Sequence, residues 1–333
     1  MKVFIHYQPK HNRATYSAVR VRKTLKGECE VASIPWVDNV KADVDLAHFI
    51  SPRDLPLLRK MKKRGVKCIV SAFYCENDPN ASYIAQNPSQ NPTISKEGLA
   101  ILQEADLVLV PNDFIKDFVI GNGVTSRVEV LSPAVVLSRF EAYPGEEMIF
   151  PRYYGVRPTQ IVVVATGSLK NKVAIERFTK IASLRPEIEF YYFCAGGRSL
   201  STWATLRRLN KKSTKNCHYV PAAQDDIYRS ALYRSIARLS LTDPAPESLG
   251  VLDAFAAKLQ VIAYGERPFS QWIKKDVTAK VFDTEEEIAS YLEDLYQGRA
   301  EVTIMGGYQI AVDRRIENVA VQLKAYYESL MNS

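Results

Sequence analysis

Asp243-Pro244-Ala245-Pro246-Glu247-Ser248-Leu249-Gly250-Val251-Leu252-Asp253-Ala254-Phe255-Ala256-Ala257-Lys258 lies between two short apolar runs, residues 238–242 and 260–264. The flanking runs read as buried strands, and the small, apolar 248–258 segment reads as a helix that crosses between them. A strand, a crossover helix and a second strand make a parallel pair. The Pro/Ser/Gly loop ahead of the helix has the amides to hold a phosphate, with Asp253 on the first turns to accept hydrogen bonds from a ribose diol. The same residues also suit an ordinary helix cap with an acid near the positive end of the dipole.

The alternation extends in both directions. Strand-like runs at 2–7, 46–50, 68–73, 107–110 and 128–131 alternate with helical periods at 16–26, 52–64, 95–104 and 113–121. Between 138 and 158 the pattern lapses into a Tyr-, Pro- and Gly-containing connector, and it restarts at 161–166. Strands are expected at 189–195, at Tyr219, at 238–242 and at 260–264, with helices at 172–184, 226–235, 248–258 and 285–296. Residues 307–330 read as one long amphipathic helix. The 333 residues are about twice a typical domain. The fold expected is α/β, with two doubly wound Rossmann-like domains, 1–145 and 158–306, facing a cleft, and a C-terminal helix, 307–333, packing back on the first domain. Ligands of such sheets bind beyond the carboxyl ends of the strands.

Apolar residues make up 47% and charged residues 24%, a soluble globular balance. No run approaches the roughly 18 apolar residues of a membrane span, and a cytoplasmic location is expected. Five cysteines without a C-x-x-C pair argue against structural zinc and a disulfide framework. Residues 1–80 carry 15 Lys and Arg against 8 Asp and Glu, which accounts for the whole chain's net +7. That local excess points to an anionic partner for the N-terminal half, or to a solvated basic face.

Ala165-Thr166-Gly167-Ser168-Leu169-Lys170-Asn171-Lys172 is a strand entering a helix through a glycine and two lysines. It suits a diphosphate, on backbone amides and the charges of Lys170 and Lys172, and equally an ordinary β–α turn. Together with Phe193-Cys194-Ala195-Gly196-Gly197 and the 243–264 unit, this segment resembles the donor half of family-4 retaining glycosyltransferases of the GT-B fold. Val108-Leu109-Val110-Pro111-Asn112 resembles the strand that closes that family's first domain, and the similarity covers essentially the whole chain. The nearest subgroup is the short Gram-positive transferases that add a second hexose to a glucosyl-diacylglycerol.

The resemblance implies a cytosolic, peripherally membrane-associated enzyme that moves a hexose from a UDP-sugar to a glycolipid acceptor with retention. It assigns donor binding to Gly167, Lys170, Lys172, Gly196, Gly197, Ser248, Leu249, Gly250, Val251 and Asp253; with Asp253 at the ribose the family's first glutamate falls on Ala245, unless a shortened loop carries Glu247 to the sugar as the catalytic residue. Four positions depart from the family pattern. Glu247 and Asp253 are six apart instead of eight, no glycine-rich loop follows the first strand, Phe73 stands where a histidine is expected, and Leu169 stands where an arginine is expected. These departures open a second reading, a catalytically silent subunit that stabilises or targets a partner glycosyltransferase. A nucleotide-sugar epimerase of the same fold is a third.

His6 and His11, at and beyond the first strand, and Glu76 and Asp78, beyond the strand ending near Phe73, lie where acceptor groups are expected. His48, inside a strand, reads as a satisfied core residue. Arg59, Lys60, Lys62, Lys63 and Arg64 crowd the end of one helix beside Leu57, Leu58 and Met61. They make a surface for anionic lipid, or the outer side of a helix whose apolar face covers the sheet. No cofactor and no metal are expected, and nucleic acid is not expected as a partner because no aromatic platform accompanies the charge.

Overall fold

The computed structural model describes residues 1–6, 16–72, 94–169, 171–195, 200–241, 248–265 and 270–332. The first half runs β1 (Val3–His6), α1 (Tyr16–Val31), β2 (Trp36–Val37), β3 (Leu46–Phe49), α2 (Leu55–Lys63), β4 (Lys67–Ser71), α3 (Lys96–Glu104), β5 (Leu107–Val110), α4 (Asp113–Gly121) and β6 (Val128–Val130). The second half runs α5 (Ile149–Tyr154), β7 (Ile161–Ser168), α6 (Lys172–Leu184), β8 (Ile188–Ala195), α7 (Leu200–Lys212), β9 (Cys217–Pro221), α8 (Asp225–Arg234), β10 (Ala237–Ser240), α9 (Leu249–Ala256), β11 (Gln260–Tyr264), β12 (Lys280–Phe282), α10 (Glu285–Tyr296), α11 (Ile304–Asp313) and α12 (Ile316–Met331).

Two six-stranded sheets result, ordered β2-β1-β3-β4-β5-β6 and β12-β11-β10-β7-β8-β9, with parallel pairing throughout. This is the doubly wound α/β architecture expected from the strand–helix alternation. Both faces of each sheet are covered, which is why the strands are continuously apolar. In the first sheet Val3, Ile5, Leu46 and Ile69 face the core shared with α1 and α12. Phe4, Ala47, Phe49 and Val70 face the core closed by α2, α3 and α4.

Strand order reverses beside the first strand of each sheet. β1 is flanked by β2 and β3, and β7 by β8 and β10. The crossovers on either side of such a reversal leave in opposite directions, so a crevice opens beyond the strand ends at that point.

Two expectations change in detail. The 138–158 connector is helical for part of its length, and it packs on the second sheet, with Phe150 fully buried among Tyr191, Phe193 and Tyr228. The C-terminal segment expected as a single helix is two. At Arg315 the backbone turns extended (ψ 146) and pairs with Val135, whose amide donates to Arg314 O and whose carbonyl accepts from Ile316 N. Those bonds replace the helical ladder, so α11 stays against α9 while α12 crosses to α1 and buries Val319, Leu323, Tyr327 and Leu330 in the first half.

The glycine pair at the start of α11 makes its close approach possible. A Cβ on Gly306 would sit 1.9 Å from the Val277 carbonyl oxygen, and one on Gly307 would sit 2.4 Å from the Phe255 ring. Gly306→Ala is therefore expected to destabilise the fold by about 2 kcal/mol through overpacking against a backbone atom. Gly121→Ala, at a helix position with nothing within 4 Å, should stabilise by about 0.5 kcal/mol. Denaturant unfolding of the two variants beside the parent checks both signs, and equal stabilities would remove the packing argument for α11.

Candidate active site

The second reversal lies among the segments to which the resemblance assigns the donor. β10 pairs with β7 through Ala237–Val163, Arg238–Val164 and Leu239–Ala165, and α9 starts just beyond the end of β10. The backbone at Ser248 is extended, and its carbonyl accepts from the amides of Val251 and Leu252. The amides of Leu249 and Gly250 precede those bonds, and Ser248 makes no side-chain cap, so the first turn presents donors outward. Gly250 sits over Thr166 of β7 and Arg238 of β10, which ties the α9 turn to the strand ends beneath it. Ser248, Leu249 and Gly250 are thus brought to the crevice, while Val251 is buried with its amide bonded to the Ser248 carbonyl. Gly167 is buried, and its missing Cβ leaves room for the Tyr192 hydroxyl, so packing requires a glycine there. Lys172 is exposed at the first turn of α6, which Asn171 caps by accepting from Ala174 N at 3.0 Å. Lys170, Gly196, Gly197 and Glu247 lie outside the described residues.

Asp253 has another partner than the ribose diol assigned to it. It is 2% exposed, and both carboxylate oxygens accept from Arg20 of α1, Oδ2 from Nη1 at 2.5 Å and Oδ1 from Nη2. This bidentate pair, with Asp253 buried and Arg20 largely so, joins the two halves of the molecule. A second polar link runs from Gln271 Nε2 to Asp113 Oδ2 at 2.8 Å.

On the first sheet, His6 ends β1 at the reversal. Its Nε2 lies 3.2 Å from Asp54 Oδ2, and its ring packs 4.7 Å from Phe49. Burial lowers its pKa, with Asp54 opposing. Asp54 also caps α2, accepting from Leu57 N. His11, Glu76 and Asp78 lie outside the described residues. His48 is a satisfied core histidine, as read from its strand, with Nδ1 at 2.6 Å from the Tyr327 hydroxyl and Nε2 at 2.7 Å from Ser71 Oγ.

Beside His48 is a small pocket between α1, the first sheet and the start of α9, with Leu25, Leu131, Leu249, Ser71, His48 and Glu28 on its walls. Glu28, which the sequence did not single out, is 5% exposed, and burial pushes its carboxyl up to about 8. Arg238 and Arg20 are likewise not marked by any motif. The available signal was a charged residue at a buried position of an apolar strand (Arg238) or on the inner side of a helix (Glu28).

Three of the five cations at the end of α2 are engaged within their own half. Arg59 bonds Glu104 through Nε (2.9 Å) and Nη2, Lys62 reaches Asp106 at 3.0 Å, and Arg64 donates to the carbonyls of Val40 and Ala42. Lys60 and Lys63 are exposed. Leu58 and Met61 are buried against the sheet. No helix among the described residues is long and apolar enough to cross a membrane.

No protein-family model matches the chain. It is 24% identical over 334 residues to the processive diacylglycerol alpha-glucosyltransferase of Acholeplasma laidlawii, covering 99% of both chains. HepE of Anabaena, solved in complex with UDP-glucose, aligns with a TM-score of 0.73 at 11% identity, over 98% of this chain and 99% of that one. A glycosyltransferase of Rickettsia africae aligns with a TM-score of 0.71 at 12% identity, over 99% of this chain and 98% of that one. The fold is GT-B, and the resemblance read from the donor segments extends along the chain.

Two buried groups set a pH dependence. Glu28 rises from an ordinary 4.5 to about 8, so the stability it contributes is complete below pH 4.5 and is lost as pH rises to 8. Burial takes His48 from 6.5 to about 3, so its contribution is complete above pH 6.5 and is lost as pH falls to 3. Between 4.5 and 6.5 the two slopes oppose. Above 6.5 the Glu28 slope stands alone of the pair, and the melting temperature should decline toward pH 8. Glu28→Gln should flatten that decline in melting scans from pH 6.5 to 8.5, and an unchanged decline would clear Glu28 of it.

Proposed function

We propose that the chain is a glycosyltransferase that moves a hexose from a nucleotide sugar, taken as a UDP-hexose, to an acceptor of the glycosyl-diacylglycerol class with retention at the anomeric carbon. The observation that carries this reading is the full-length similarity to a protein named as a diacylglycerol alpha-glucosyltransferase, on a chain whose second sheet sets an outward-facing helix start at its reversal. Residues 158–306 hold the donor. The Leu249 and Gly250 amides, with Lys170 and Lys172, stabilise charge on the departing diphosphate without a metal. Glu247 meets the sugar. Residues 1–145 hold the acceptor, with His6, His11, Glu76 and Asp78 on that side, and 307–333 close the chain back on the first half. The work is done in the cytoplasm at the inner membrane face.

Transfer of labelled glucose from UDP-glucose to glucosyl-diacylglycerol in vesicles tests the activity, with an α-linked dihexosyl lipid as the expected product. Failure with every UDP-hexose and lipid acceptor tried would sink it. The second reading, a silent subunit supporting a partner glycosyltransferase, is favoured by the hold of Arg20 on Asp253. It requires no turnover by the chain alone and turnover in a partner that rises on adding it.

If the cations at the end of α2 attract a membrane, Lys60 and Lys63 carry that attraction, since Arg59, Lys62 and Arg64 have partners of their own. Replacing both lysines by Gln should weaken binding to vesicles with anionic lipid by about 2 kcal/mol, roughly 30-fold. Equal binding to neutral and anionic vesicles would leave the two lysines as a solvated face.

A further inference from the structure

Arg238 is a cation in an unusual place. It lies on β10 between apolar neighbours Ala237 and Leu239, and it is 2% exposed. Its Nη2 donates to Thr166 Oγ1 at 2.7 Å, while Nε and Nη1 are shut off from solvent with no hydrogen-bond partner. No carboxylate among the described residues lies within 4.0 Å of it, and Asp253, one turn into α9, has both oxygens on Arg20. A guanidinium carries its charge at any ordinary pH, and burying that charge without a counter-charge is strongly unfavourable.

Its surroundings make the position still less favourable for a lone cation. The guanidinium lies against the first turn of α9, where an added Cβ on Gly250 would come within 2.4 Å of Nη2. A helix start carries roughly half a positive charge, so the two like charges reinforce one another. What both lack is an anion. Thr166, Leu249 and Gly250 are only half-buried, so Arg238 lies one layer beneath the surface of the crevice at the β7/β10 reversal.

We propose that Arg238, the Thr166 hydroxyl and the first-turn amides of α9 form an anion site that takes a phosphate group, and that Arg238 supplies its buried positive charge. The proposal rests on the donor reading above for the identity of the phosphate as part of a nucleoside diphosphate. The site itself stands on the unpaired guanidinium and the helix start. Gly250 is then a glycine because any larger residue would displace the guanidinium.

The test titrates the full chain with UDP, inorganic pyrophosphate and uridine, by calorimetry and thermal shift, in parent, Arg238→Met and Gly250→Ala. Pyrophosphate and UDP should both raise the parent's melting temperature. Arg238→Met should abolish the pyrophosphate shift and weaken UDP at least tenfold, leaving any uridine response unchanged. Without ligand, Arg238→Met should melt no lower than the parent, since it removes an unpaired buried charge. A role limited to packing against Thr166 predicts the reverse, a lower melting point with unchanged UDP affinity, and that result overturns the proposal. Gly250→Ala, which displaces Nη2 and keeps the charge, should also weaken UDP and tests the site if the Met variant does not fold. Pyrophosphate binding that depends on Arg238, with no response to any nucleotide, would support the anion site and reject the donor reading. UDP-glucose turnover that survives Arg238→Met at the parent's KM would uphold the donor reading and reject Arg238.

Discussion

All strands in both sheets run parallel, and the rest of the structure follows from that constraint. Parallel strands need crossovers, and each crossover leaves from the carboxyl end of its strand. The strand ends and the starts of the following helices therefore collect on one edge of each sheet. Strand order reverses at β1/β3 in the first sheet and at β7/β10 in the second, and there the edge opens. His6 with Asp54 stands at the first opening, and Thr166, Arg238 and the α9 turn stand at the second.

The two halves are held by contacts of different kinds. Apolar side chains of α12 sit in the core of the first half, and this helix reaches that core because the chain unwinds at Arg315 to pair with Val135. The bidentate Arg20–Asp253 pair is polar, and removing Arg20 would strand the buried Asp253 charge in the interior. Together they fix α1 of one half against α9 of the other. The cavity with Glu28 and His48 lies beneath this junction, between α1 and Leu249 at the start of α9.

The charge pattern illustrates how far a cluster of like residues can mislead. The cations ending α2 look uniform in sequence, yet the fold brings Glu104 and Asp106 and the carbonyls of Val40 and Ala42 beside three of them. The partners come from segments 22 to 45 residues away, and sequence proximity carries no information about them.

The class of fold and the location of the crevices are legible in the order of residues along the chain. Strands buried on both faces must be apolar throughout, and a crossover helix must be long enough to return, so both leave a period that one chain displays without relatives. The outward-facing start of α9 was legible for the same reason, as Ser248, Leu249 and Gly250 mark a helix start locally. Tertiary structure alone decided the partners of the charges. Asp253 reads as an acceptor of ribose hydroxyls from its place on α9, but Arg20 arrives from 233 residues away. The 307–330 segment reads as one helix from its period, and only Val135, close in space, supplies the bonds that make breaking it at Arg315 favourable. Arg238 reads as a strand residue, and its unpaired guanidinium becomes evident only when Thr166 and Gly250 close over it. Local propensity and periodicity are properties of neighbours in the chain. The compensation of a buried charge is a property of neighbours in space.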